Sequence, residues 1–105
     1  MTNQSAVAAV PTRSASRYLQ QLCKHWAHNL AVTFNAEEGR IVFPMDARGL
    51  NFPGDGIVTL KAHATQLEVL VDASAPEQLE GLKGAVASHL DRFAFREAPL
   101  AFNWR

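Results

Sequence analysis

The side chains of this 105-residue chain with the types and spacing to do chemistry are four histidines, a set of arginines near both ends and one cysteine. His25 and His28 are three apart. On a helix both imidazoles face the same way and can share a metal ion. If a second helix brings His89 beside them, and Glu97 serves as acid or base, the set describes a small metal-dependent enzyme. The simpler reading is that two histidines at helical spacing, with no third fixed ligand, make ordinary hydrogen bonds at a helix boundary. Cys23 lies about 160° around the same helix from His25, on the apolar side, and reads as a buried, inert thiol.

The second constellation is cationic. His89, Arg92 and Arg96 follow at spacings of three and four, and Arg17 and Lys24 can extend the stripe from the first helix. A guanidinium binds carboxylate or phosphate oxygens in bidentate fashion, so a patch of Arg17, His25, His89, Arg92, Arg96 and Glu97 could recognise an anionic small molecule or a partner protein. The competing reading is structural, with Arg92 or Arg96 pairing with Asp91, Glu97 or the C-terminus. The sequence shows no Gly-rich phosphate loop, no Gly-x-Ser-x-Gly elbow and no zinc-type cysteine pair.

Bulk properties narrow the classes. Ten basic and ten acidic residues cancel, which argues against a general nucleic-acid or anionic-membrane binder. A 48% hydrophobic, 19% charged composition is that of an ordinary globular chain, here a single domain over residues 1–105. A lone cysteine, no signal-like N-terminus and no apolar run near ~20 residues predict a soluble cytoplasmic protein.

The elements that must position these groups follow from periodicity. Residues 5–10 form a short strand stopped by Pro11. Thr12 or Ser14 caps a helix from Ala15 to Leu30, with Tyr18, Leu19, Leu22, Cys23, Trp26 and Leu30 on its apolar face. Alternation pairs Phe34 with Ile41 and Val32 with Phe43 around a turn at residues 36–39, where Gly39 supplies a left-handed position. A second hairpin, Ile57–His63 and Leu67–Asp72, puts Val58, Leu60, Ala62, Val69 and Val71 on one face, His63 across from Glu68 and Thr59 across from Asp72. Residues 45–56 are an irregular connector with a possible short strand at Leu50–Phe52. A last helix opens at Ala75-Pro76, carries Leu79, Leu82, Val86, Leu90 and Phe93 inward, and ends near Glu97 before Pro99. Its Gly81 and Gly84 call for a close neighbour. The expected fold is a two-layer α+β sandwich in the order β-α-β-β-(β)-β-β-α. A mostly antiparallel sheet of four or five strands carries two helices on one face.

Two stretches carry a family resemblance. Ser-Ala-Ser-Arg17-Tyr18-Leu19-Gln-Gln-Leu22-Cys23-Lys24-His25-Trp26 follows a Val-Pro-Thr strand end, and His89-Leu90-x-Arg92-Phe93-x-x-Arg96-Glu97 lies near the C-terminus. Together they resemble the bacterial domain of unknown function numbered 2218, over nearly the whole chain. The resemblance implies a small stand-alone bacterial domain without an established activity. It also implies an association with siderophore and iron-uptake proteins, including flavin-binding reductases. The leading expectation is a non-enzymatic binding or accessory module with no cofactor. It acts as a monomer or homodimer on an anion or a protein partner in iron or siderophore handling. The alternatives are the metal-dependent enzyme and a structural protein that dimerises through the sheet face carrying Leu70.

Overall fold

The computed structural model describes residues 4–46 and 49–105. In chain order the elements are β1 (Gln4–Pro11), α1 (Ala15–Trp26), β2 (Ala31–Phe34), β3 (Glu38–Phe43), β4 (Gly56–Ala62), β5 (Gln66–Ala73) and α2 (Pro76–Phe93). The five strands form one antiparallel sheet in the order β1-β5-β4-β3-β2. This is the expected α+β architecture. The optional strand is absent: Leu50–Phe52 stays irregular, and the Phe52 N–H donates to Met45 O at 3.0 Å. Ala47 and Arg48 of that connector lie outside the described residues.

Strand alternation decides which side of the sheet the helices cover. Ala8, Val10, Ile41, Val58, Leu60, Leu67, Val69 and Val71 are fully buried and meet Leu19, Leu22, Cys23, Val86 and Leu90 from the helices. The opposite face carries the row Val7, Leu70, Thr59, Arg40 and Thr33 across the five strands. Leu70 is half-buried there. Among the described residues no helix is long and apolar enough to cross a membrane.

Both hairpins keep their expected faces and slip in register. β2 pairs Val32 with Ile41 and Phe34 with Gly39, where the alternation predicts Phe43 and Ile41. The turn contracts because Asn35 Oδ1 accepts from the N–H groups of Glu37 (2.8 Å) and Glu38 (2.9 Å), and Asn35 N–H bonds Glu38 O. In the second hairpin Glu68 stands opposite Lys61 and Leu70 opposite Thr59, although His63 Nε2 still lies 3.1 Å from Glu68 Oε1. A slip of two returns every side chain to the same face, so the hydrophobic pattern cannot detect it.

The glycines act elsewhere than expected. Gly39 is not a left-handed turn residue; it faces α1, where an added Cβ would stand 2.6 Å from Cys23 Sγ. Gly56 is as tight, against Leu82 Cδ1 at 2.5 Å. At Gly81 and Gly84 a Cβ would meet nothing within 4 Å, so the close neighbour expected there is missing. Both helices also end early, α1 at Trp26 and α2 at Phe93. Ser14 occupies the N-cap of α1 without a side-chain cap bond, and Thr12 Oγ1 instead accepts from Ser14 N–H at 3.1 Å. Past α2, the tail returns along the sheet. Leu100 is buried, its N–H donating to Asp91 Oδ1 at 2.8 Å. Val7 and Arg105 exchange both backbone bonds, at 2.8 and 2.9 Å.

Candidate functional site

α1 and α2 run antiparallel, so the end of α1 meets the later turns of α2 while its first turn meets the segment after α2. At the first meeting point the His25 ring lies 5.1 Å from the His89 ring and 5.8 Å, edge-on, from Phe93. Trp26 lies 4.8 Å from His89. His89 Nδ1 sits 2.7 Å from Ala85 O, a donation to its own helix that leaves Nε2 as the ring nitrogen available to a ligand. The pKa of His25 is held below the ordinary histidine value, first by loss of solvent around the ring, then by the nearby positive charges of His89, Arg92 and His28.

His28 has left the helix. The N–H groups of Asn29 and Leu30 both bond to Trp26 O, at 3.1 and 2.9 Å, and turn the chain out after Trp26. His28 therefore lies in the turn that follows α1 rather than within the helix. Among the described residues no three His, Cys, Asp or Glu side chains converge as a metal-holding group. Cys23 is fully buried, and burial pushes its thiol up to about 11, which keeps it protonated and unreactive.

The remaining expected site residues gather elsewhere. Glu97 accepts from the Tyr18 hydroxyl, and Thr12 Oγ1 lies 3.1 Å from each of its carboxylate oxygens. This hydrogen bond, with burial and the carboxylate charge, raises the pKa of Tyr18. Arg17 is exposed on the neighbouring position of α1. Because α2 stops at Phe93, Arg96 does not continue the helical stripe from His89 and Arg92; its guanidinium carbon lies 5.6 Å from the Phe95 ring centre. His89 and Glu97 are eight positions apart, about 12 Å if measured along a helix. The six-residue patch thus divides into His25, His89 and Arg92 at one end of the helical seam and Glu97, with Arg17 near it, at the other, while Arg96 lies apart against Phe95. The side-chain ion pairs among the described residues are His63–Glu68 and Lys83–Glu80, and Arg92 takes part in neither.

The cationic end opens onto a cavity of about 500 Å³. Trp26 and Leu30, Phe43 and Phe52 make one wall; Leu82 and Ala85 of α2 make the other, with His89 at one end and Glu77 at the opposite end. Trp26 and Phe43 meet edge to face at 5.0 Å and fix that wall. Gln78 also lines the cavity but is committed to the scaffold: Nε2 donates to Gly54 O at 3.0 Å and Oε1 accepts from Ser74 N at 2.6 Å. That pair of bonds ties the irregular connector to α2. Size and mostly apolar lining are those of a small-molecule site. Of the expected residues only His89 lines it. The usable sequence signals for the rest were Leu50 and Phe52, the strong apolar residues of the connector, and an unexplained glycine at position 81.

No curated protein matches the chain. The solution NMR structure of PA4090 from Pseudomonas aeruginosa is similar, with 30% identity, a TM-score of 0.73 and coverage of 96% of this chain and 94% of that one. A family profile described as "Uncharacterized protein conserved in bacteria" (DUF2218) matches residues 7–105. By that span the chain belongs to the DUF2218 family of bacterial proteins.

Proposed function

We propose that the chain is a non-enzymatic binding module for a small amphipathic anion, whose apolar body fills the cavity and whose acidic group meets His89, His25 and Arg92. One observation carries this reading. A mostly apolar cavity of about 500 Å³ ends at His89, whose ring lies 5.1 Å from His25, and Arg92, one turn further along α2, has no ion-pair partner among the described residues. A ligand carboxylate or phosphate supplies the missing counter-charge, while aromatic and aliphatic walls desolvate its body. Among the described residues no three His, Cys, Asp or Glu side chains form a metal-holding group, which supports binding over metal-dependent catalysis.

The test is an amide-shift titration of the full chain with 1-naphthoate, octanoate and phenyl phosphate in separate arms. Shifts should cluster on the Trp26 indole, Gly81, Ala85 and His89. Saturable shifts confined to other surfaces, or none at millimolar ligand, would overturn the proposal. A ferric siderophore in a fourth arm tests the ligand class implied by the family resemblance.

A further inference from the structure

We infer that the cavity is a trench for a slender, chain-like carboxylate, held with its head at His89 and Arg92 and kept open by Gly81. This rests on the binding-module reading above and names the ligand class. The α2 residues that line the cavity, Glu77, Gln78, Gly81, Leu82, Ala85 and His89, follow one helix face. From Glu77 to His89 that face is about 18 Å long. A volume of about 500 Å³ drawn out along such a line is a narrow channel rather than a bowl. Along α2 its lining is small at Gly81 and Ala85, with the buried Leu82 between them, and the acid Glu77 stands at one end and His89, one turn before Arg92, at the other. Glu77 repels an acidic head and the Arg92 guanidinium attracts one, with His89 joining when its ring is protonated, so a monoanion enters in one orientation.

Gly81 is the second observation. A glycine inside a helix is unfavourable compared with alanine, and the usual justification is a neighbour too close for a Cβ. Here a Cβ would meet nothing within 4 Å, so packing gives no reason for it. What lies beside it is the trench, and a larger side chain would occupy the space a ligand chain needs. Gly84, also with nothing within 4 Å of an added Cβ, does not line the trench and serves as the internal control.

The experiment is calorimetric titration of the full chain with straight-chain alkanoates of increasing length, below micelle-forming concentrations, beside the matching alkanols and 1-naphthoate. Affinity should rise about fourfold per added methylene until the chain fills the trench, then level off. Alkanols should bind at least tenfold more weakly than the alkanoate of equal length, and Arg92→Gln should narrow that gap. Gly81→Leu should abolish binding of the longer chains and Gly84→Leu should leave it unchanged. Melting curves establish that each variant folds, and the milder Gly81→Ala, which should weaken long chains several-fold, stands in if Gly81→Leu does not. Naphthoate binding without chain-length dependence would overturn the chain-like ligand and leave the binding module standing. Equal affinity for alkanols and alkanoates would overturn the acidic head. Failure of every probe would sink both readings.

Discussion

At one end of the seam between α1 and α2, Glu97 accepts from Tyr18 and lies against Thr12. At the other end the His25 and His89 rings meet one turn before Arg92 on α2, and His89 borders a cavity. The two ends use similar side chains, aromatics beside acids and bases. They differ in whether the polar groups satisfy one another. Mutual satisfaction at the Glu97 end fixes where the tail leaves α2, which is a structural task. At the His89 end the exposed Arg92 guanidinium has no carboxylate partner among the described residues and can meet an incoming anion.

The largest expected effect is at the closed end. Glu97→Ala leaves two buried hydroxyls without their acceptor and should lower unfolding free energy by about 2 kcal/mol, with Tyr18→Phe costing about 1 kcal/mol. Chemical denaturation measures both, and neither variant should alter anion affinity. If Glu97→Ala instead abolished ligand binding at unchanged stability, the roles of the two ends would be reversed.

Arg92→Gln probes the open end. Its side chain is exposed and makes no ion pair among the described residues, so stability should stay within about 0.5 kcal/mol of the parent while octanoate affinity falls. A loss of stability comparable to Glu97→Ala would show Arg92 to be structural, and the contrast would disappear.

The smallest effect is the pH response of His25. Its folded-state pKa lies below the unfolded value of roughly 6.5, so the unfolded chain takes up the proton first as pH falls. The stability from a neutral His25 is therefore present above that range and lost as pH drops through it. Between pH 8 and 5.5 the denaturation midpoint should fall slightly further for the parent than for His25→Gln. Bound octanoate, by favouring the protonated ring, should shrink that difference. An identical acid response in parent and variant would mean that the neighbouring charges do not act on this ring.

How much of this was legible before folding depends on what each feature rests on. Strand and helix faces follow from alternation and from ~100° periodicity, and the inward residues Leu19, Leu22, Val58, Leu60, Val69, Val86 and Leu90 are where those patterns put them. Register was not legible, because slips of two preserve the pattern and the deciding agent was one side chain, Asn35, closing the turn. Helix ends were missed for a similar reason. Pro99 bounds α2 from beyond, but the helix yields earlier, at Ala94, where the N–H groups of Glu97 and Ala98 both turn back to its carbonyl. The juxtaposition of His25 with His89 was within reach, since both lie on faces beside the apolar stripes. The cavity was not, because its far wall comes from the irregular connector, whose path no periodicity encodes.

The backbone exchange between Val7 and Arg105 has a consequence for assembly. β1 is one border of the sheet, and this rung occupies its outward hydrogen-bonding groups at that point. Head-to-tail stacking, with β1 of one molecule against β2 of the next, would have to displace the Arg105 rung to pair at Val7.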